Sequence, residues 1–530
     1  MIQRKKRIVL FMPYRADPET GVRVCADLLP LELLQIAVFP DQAGYEVVLI
    51  DANVHDDYEK RIDEACDGAL LFASSCILGF QVTHGARVAK RVRAKFPSLP
   101  ILWGGWFPSC LPEQYLKEGI ADAVGLSQGE FTFWDAVQAI DAGTDLADVS
   151  GLVVMRDGEI VRTTPRPVLG FDKIPEAPWH LLEYERYVEQ QNRPGKFKVR
   201  HKIPDPFDMP PGTPLRGFSY FSSFGCPEPC TFCCSPMVTN RRWKAIPGKE
   251  LAERMFALQD RFKFNVMRFQ DANFGVAEKR SVEFCTELVN AGAPFWWNGT
   301  YEIETIARYQ ESSVDLLAES RFHQAALGAE TGDQATQLRI GKDIQLQRDL
   351  VKALSRLNDR NIQSGLSWII GYPGESHESM RNTLRVAAEI KHMFPKSASD
   401  IFPFRPIPGS ADYDLAVELG YEGPRSLEDW GSALEYKYAF DDIGLPMDVI
   451  QRWKRYGATS SFYDGLAHEG SALMRRAMQR ISGWRLKNDN YTFPVEQKLF
   501  HWYVKLTGQA QGEVSTKDQT SGVTPHAPVA

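Results

Sequence analysis

The chain runs to 530 residues with a formal net charge of −7, and it is 44% hydrophobic and 24% charged. That acidic balance gives no global field favouring nucleic acid, and no apolar run is long enough to span a bilayer. Nine cysteines, an odd number scattered along so long a chain, do not form a secreted disulfide framework and fit a reducing, cytoplasmic setting.

The basic opening Met1–Arg7 precedes an apolar run that stops at Pro13 with no small-residue cleavage site behind it. It therefore reads as a polar lead into a first strand rather than a signal peptide. Residues 1–145 alternate short β runs with helical stretches. Strands are expected at 7–12, 45–50, 68–73, 100–103 and 123–126. A helix is expected within 28–43, confined between Pro30 and Pro40. Several strands end in small or polar residues: Asp51, Ser74-Ser75-Cys76, Gly104-Gly105-Trp106-Phe107 and, after the last, Gly129-Glu130. Repeated strand–loop–helix units predict an α/β fold with a doubly wound parallel sheet, Rossmann- or flavodoxin-like, that binds ligands at the carboxyl ends of its strands.

Residues 146–215 read as a connector. Two short β runs joined by Asp157-Gly158 form a hairpin, and the Pro-rich, polar stretch 193–214 is linker chemistry with solvated basic residues. From 216 to 410 the α/β rhythm returns with six strand–helix units, suited to a partial (β/α)6 barrel with its chemistry at the strand ends. Residues 411–508 are helical and aromatic-rich and are expected to shape a substrate cavity, although each aromatic could equally be core. Residues 509–530 have the composition of a disordered tail.

The chemistry of the second α/β run begins at Cys226, Cys230 and Cys233, spaced C-x3-C-x2-C directly after an apolar run. Three thiolates in a tight loop suit an iron–sulfur cubane with one iron left open. A structural zinc site would want two close pairs, and no second pair follows. Four downstream turns accompany the cysteines: Asp271-x-Asn273-Phe274, Gly328-Ala329-Glu330-Thr331-Gly332, Ile369-Ile370-Gly371-Tyr372-Pro373-Gly374-Glu375 and Pro406-x-Pro408-Gly409. Together these resemble radical S-adenosylmethionine (SAM) enzymes. The order of the N-terminal pieces resembles the cobalamin-binding domain that precedes the radical domain in one branch, which includes class B methyltransferases and the anaerobic Mg-protoporphyrin monomethyl ester cyclases.

The resemblance implies three cofactors: a [4Fe-4S] cluster on Cys226, Cys230 and Cys233, SAM on its open iron, and cobalamin. It places Phe232 near the adenine, Glu330 at the polar part of SAM, the backbone of Gly371 at the adenine, and Asp271 and Asn273 facing SAM or substrate. Helix capping competes for Asp271. The loops at Ser74-Ser75 and Gly104-Gly105 would line the corrin channel. The Asp-x-His-x-x-Gly signature whose histidine ligates cobalt from below is absent, since neither His55 nor His84 has that context. The third strand often carries an arginine, and Tyr301 is the candidate to take that role. Cys234 reads as a bystander.

By resemblance the chemistry is reductive cleavage of SAM to a 5′-deoxyadenosyl radical, followed by methylation of an unactivated carbon of a small molecule through methylcobalamin. The partners implied are that substrate and an electron donor such as flavodoxin or ferredoxin, without nucleic acid. A non-methylating cyclase or oxidative enzyme is the alternative within the class, and a non-catalytic cobalamin or iron–sulfur sensor the alternative outside it.

Overall fold

In the computed structural model, which describes residues 6–15, 29–192, 206, 208–342, 344–435, 444–464, 472–494 and 498, the first β run is buried from Ile8 to Met12, as a strand covered on both faces must be. The tail 509–530, the basic stretch 193–205, Cys25, Tyr436, Tyr438 and Trp502 lie outside the described residues. The chain divides into two units, Met1–Gly299 with Pro406–Glu435, and Thr300–Arg405 with Tyr436–Ala530.

The first unit opens with β1 (Arg7–Met12), α1 (Leu31–Gln42), β2 (Glu46–Asp51), α2 (Tyr58–Cys66), β3 (Leu71–Ser75) and α3 (Phe80–Lys95). There follow β4 (Ile101–Gly104), α4 (Trp106–Cys110), α5 (Pro112–Lys117), β5 (Ala123–Gly125), α6 (Glu130–Ala142), β6 (Leu152–Arg156) and β7 (Glu159–Arg162). The sheet order is β2-β1-β3-β4-β5-β6-β7. Its first five strands are parallel, and the connector hairpin β6–β7 extends it antiparallel to β5. The order reverses between β1 and β3, the switch point at which doubly wound sheets bind ligands. Separate apolar layers cover the two faces, one around Phe11, Phe72 and Trp103, the other around Leu10, Leu33 and Phe133. One expectation is corrected: α1 runs through Pro40 to Gln42. A proline in the last turn removes only one ladder bond near an end that frays anyway.

After α7 (Tyr184–Asn192) the second α/β run supplies β8 (Gly217–Tyr220), β9 (Ser223–Phe224), α8 (Ser235–Thr239), β10 (Lys244–Ala245), α9 (Gly248–Phe262), β11 (Val266–Phe269), α10 (Glu278–Asn290) and β12 (Trp296–Tyr301). β8, β11 and β12 pair in parallel. The short antiparallel pair β9–β10 was not foreseen. It staples the two ends of the segment that carries the cysteines.

The second unit holds α11 (Ile303–Arg308), α12 (Glu311–Glu319), β13 (Phe322–Glu330), α13 (Gln334–Arg339), α14 (Leu346–Asp359), β14 (Gln363–Ile370), α15 (His377–Met393) and β15 (Ala398–Pro403). β13, β14 and β15 are parallel. The aromatic helical region after them is not one body. α16 (Ala411–Glu418) and α17 (Leu427–Ala433) return to the first unit, where Leu427, Trp430 and Leu434 join the layer around Phe72. α17 lies almost backbone to backbone on α3: a Cβ on Gly431 would stand 1.8 Å from Thr83 Oγ1. Its end is locked by buried Glu435, which accepts from Arg15 at 2.7 and 2.9 Å and from Phe80 N at 3.1 Å.

α18 (Met447–Tyr463) and α19 (Ala472–Asn488) stay in the second unit. There Trp453 Nε1 donates to Ile401 O at 2.7 Å and Tyr456 Oη to Ser399 O at 2.5 Å. Alternate carbonyls of β15, an edge strand, are thus covered by two donors one helical turn apart, which blunts the edge. Tyr456→Phe is expected to cost about 1–2 kcal/mol by stranding the Ser399 carbonyl. A lower denaturation midpoint with unchanged cluster content checks this.

Candidate functional site

The cysteine loop is built outward from Gly225. This residue has φ of 83°, and a Cβ on it would lie 2.0 Å from Arg242 O, so only glycine fits between β9 and the returning strand. Cys226 and Cys230 are buried and Cys233 is half-buried. Cys233 N donates to Cys230 O at 3.3 Å, and Ser235 N, opening α8, donates to Cys233 Sγ at 3.4 Å. The loop is pinned from outside by Arg241 Nε on Pro227 O at 3.0 Å and by Asp412 N on Thr231 O at 2.9 Å. Among the described residues no three His, Cys, Asp or Glu side chains converge as ligands of one ion. Thiolates that hold three different corners of a cluster need not share such a point. Phe232 lies half-buried in the same loop.

Asp271 is the anchor behind the loop. Its Oδ1 accepts from Ser222 N at 2.7 Å and Ser223 N at 3.1 Å, and its Oδ2 from Ser222 Oγ. Burial pushes this carboxyl up, against the pull of Arg280 and the serine hydrogen bonds. Arg280, which sequence reasoning did not single out, is buried on α10 and donates to Ser222 Oγ at 2.6 Å and Ile246 O at 2.7 Å while lying over the Phe274 ring. An arginine in an amphipathic helix gives no signal that it turns inward. Asp271 does not cap α10, whose N-cap is Ala277. Its bonds fix the strand-end turn that delivers Gly225 and Cys226. Asn273, also buried, accepts from Gly275 N at 3.1 Å, closing the next turn.

The Cys110 thiol beside Cys234, together with burial, pushes the Cys234 thiol up. The pair joins the residue after the last loop cysteine to the end of α4.

In the second unit, Glu330 is buried at the end of β13, with Lys342 Nζ at 3.7 Å. Gly371 has φ of 83°, and its N–H donates to Glu375 Oε2 at 2.7 Å, as does that of Tyr372 at 3.1 Å. Tyr301 is wholly buried against Phe322 and Tyr309, the environment of a core ring.

Ser74, Ser75, Gly104 and Gly105 come together on one cavity of about 340 Å³ in the first unit. It sits at the carboxyl ends of β3, β4 and β5, walled by α1 and the start of α6. The same cavity is lined by Ser223, Phe224, Gly225 and Gln270, so it reaches the residue before Cys226. Gly105, with φ of 97°, is required by Ser75 Oγ, 2.5 Å from where its Cβ would stand. Among the described residues, four buried atoms of the lining have no hydrogen-bond partner: Gln35 Oε1, Thr132 Oγ1, Ser223 Oγ and Gln270 Nε2. Buried polar atoms are rarely left so, and this donor and acceptor set fits a large ligand with an amide-rich rim. Burial pushes Glu32 and Glu130, on two walls of the cavity, up to about 7. Among the described residues no histidine lines it. His84 is held by Tyr14 N at 3.0 Å and Tyr58 Oη at 3.1 Å, and His55 by Asp51 N and Glu183.

Comparison with known proteins matches the two α/β runs to different families. A B12 binding domain model matches residues 21–136 and a radical SAM superfamily model matches residues 220–387. "Uncharacterized methyltransferase PH0819" of Pyrococcus horikoshii is 24% identical over 307 residues, 58% of this chain and 60% of that protein. This chain therefore aligns with less than two thirds of that relative's length. The anaerobic magnesium-protoporphyrin IX monomethyl ester cyclase of Synechocystis is 25% identical over 374 residues, 69% of each chain. The solved structure of the cobalamin-dependent SAM radical enzyme OxsB with aqua-cobalamin shares the fold, with a TM-score of 0.67 and 13% identity over 97% of this chain and 78% of that one.

Proposed function

This chain carries a B12-binding domain ahead of a radical SAM domain, and from that premise we propose that it is a cobalamin-dependent radical SAM enzyme that methylates an unactivated carbon of a small molecule. The observation that carries the reading is the shared cavity: the strand-end residues Ser74, Ser75, Gly104 and Gly105 line the same space as Phe224 and Gly225, the neighbours of Cys226. A corrinoid held there would lie beside the loop that holds the cluster. When bound, the cluster and the corrinoid supply one-electron and methyl-transfer chemistry respectively.

The chain's own residues do the positioning. Cys226, Cys230 and Cys233 would hold the cluster. Asp271 and Arg280 fix the turn that would carry it, and Phe232 of the same loop would meet SAM; within the second unit, Glu330 and the backbone at Gly371 are the SAM positions that the resemblance implies. Gln35, Thr132, Ser223 and Gln270 would offer the corrinoid its hydrogen bonds. No described helix is long and apolar enough to cross a membrane. A cytoplasmic enzyme fed by a flavodoxin- or ferredoxin-type donor, acting on a small molecule rather than nucleic acid, completes the proposal.

The deciding experiment is incubation of anaerobically reconstituted protein with methyl-labelled SAM, reductant and candidate substrates. Label in the product supports methyl transfer, whereas 5′-deoxyadenosine with unlabelled product supports the cyclase-type outcome, which the likeness to the Synechocystis protein favours as the second reading. Cobalamin binding has a separate test. A Cβ on Gly104 meets only Gly125 O, at 3.8 Å, so a larger side chain there takes cavity space without striking backbone. Gly104→Leu is expected to weaken corrinoid retention at least about tenfold, some 1.4 kcal/mol, and to leave cluster content unchanged. Undiminished retention removes the cavity from the cobalamin reading.

A further inference from the structure

The turn after α8 holds two consecutive non-glycine residues in the left-handed region, Asn240 with φ of 49° and Arg241 with φ of 54°. Side chains rarely adopt that backbone, so the contacts around it must impose it. Arg242 N donates to Thr239 O at 2.9 Å, and Lys244 of β10 pairs with Phe224 of β9. Arg242 O is the atom that bars a Cβ at Gly225. The turn is thus held against the entry of the cysteine loop, and its side chains are displayed from a fixed backbone.

What the turn displays is positive charge. Arg241, Arg242 and Lys244 are exposed, as is Lys249 in the first turn of α9. Among the described residues none of the four forms an ion pair. By contrast, the exposed Arg87 and Lys90 share Glu428 at 2.9 and 3.1 Å. From Cys226 to Glu250 the acids are Glu228, in the loop, and Glu250 itself, which pairs with Arg254 at 2.7 Å. In a chain of net charge −7 this segment is a local inversion of sign.

The charge lies on the cysteine loop itself. Arg241 Nε donates to Pro227 O at 3.0 Å, between Cys226 and Cys230, and Pro229 of the same loop is exposed. Met237, 44% exposed one turn before Arg241, adds an apolar surface. Arginine and methionine are enriched where proteins meet proteins. A nucleic acid wants a longer stripe of cations to follow its phosphates.

We infer that the surface formed by Arg241, Arg242, Lys244 and Lys249 is the docking site of an acidic one-electron carrier protein, which delivers its electron through the adjoining cysteine loop. The inference rests on the cluster reading above and deepens it by giving the donor its place. One electron leaves the reduced carrier and one enters the cluster, with no bond made or broken. Electron transfer weakens steeply with distance, and a carrier seated beside Pro227 and Pro229 is one short loop from the thiolates. Charge pairing of this kind sets orientation and association rate more than tightness, so binding should be salt-sensitive.

The test uses the cluster-reconstituted full chain with flavodoxin, a small acidic flavoprotein, oxidised as a binding probe and reduced as a donor. Calorimetry is expected to show binding that weakens at least about fivefold between about 50 and about 300 mM salt. Arg242→Glu with Lys244→Glu reverses two exposed charges and leaves Arg241 on Pro227 O. It is expected to raise both the Kd and the flavodoxin concentration at half-maximal 5′-deoxyadenosine formation at least about tenfold. The saturated rate, and the rate under dithionite, a small reductant that needs no docking surface, stay as in wild type. If that pair loses iron, Lys249→Glu is read instead, with a shift of about threefold. Lys60→Glu with Lys263→Glu makes the same change of net charge on α2 and at the far end of α9, about 20 Å from Lys249, and should leave both values within about twofold. Flavodoxin binding that is absent from wild type, indifferent to salt, or weakened equally by both pairs overturns this inference alone. No 5′-deoxyadenosine from wild type under dithionite overturns the functional reading, and this inference with it.

Discussion

Cys230→Ala is expected to abolish reductive cleavage of SAM, with iron in the reconstituted protein falling from about four per chain to near none. Cys230 lies midway along a loop whose ends are tied together by β9 and β10, so no neighbouring thiol can swing in to replace it. The adjacent variant Cys234→Ala sharpens the test, because that thiol lies beside Cys110 and its loss should leave the cluster in place. Iron analysis, the visible absorption of the cluster and a 5′-deoxyadenosine assay read out both variants. Wild-type iron in Cys230→Ala would remove the loop from the proposed chemistry, and cluster loss in Cys234→Ala would show that the Cys110 contact holds the loop in shape.

Gly225→Ala is expected to disable the same loop without touching a ligand. Two costs combine there. The left-handed backbone disfavours any Cβ by about 1–2 kcal/mol, and the added carbon would meet Arg242 O at 2.0 Å, a backbone atom that cannot rotate away. Gly158 separates these costs, since it has the same φ of 83° and nothing within 4 Å of its Cβ position. Gly158→Ala should therefore lose only the conformational part, while Gly225→Ala loses on the order of 3 kcal/mol and most of its iron. Thermal denaturation and iron content of the two variants, measured side by side, check the comparison. Equal losses in both would mean that the Arg242 contact yields easily.

The features legible in the sequence are those that local spacing encodes. Cys226, Cys230 and Cys233 announce themselves because a loop converges ligands only at short separations, and Gly104-Gly105 because a strand end that meets a bulky ligand must drop its Cβ atoms. The buried parallel strands were equally plain, since apolar runs such as Ile8–Phe11 have no solvent face to alternate with. What escaped was tertiary. Arg280 reaches Ser222 across 58 positions, and Lys342 reaches Glu302 across 40; an arginine or lysine in sequence looks solvated unless its buried partner is known. Tyr456 and Trp453 escaped for the converse reason. An aromatic-rich helix suggested a ligand cavity, while these two rings serve the unpaired edge of β15.

The return of α17 to α3 has a consequence for how the protein is made. The layer around Phe72 is completed by Leu427, Trp430 and Leu434, and Glu435 supplies the buried acceptor for Arg15. A nascent chain that has emerged only as far as β7 holds every strand of its first sheet and lacks one side of the core. That groove must wait, apolar and uncovered, while the ribosome translates more than half of the chain, and domains usually fold as units during synthesis. The N-terminal half is therefore not a module that a gene could acquire or lose by a single crossover: its last helix is written on the far side of its neighbour.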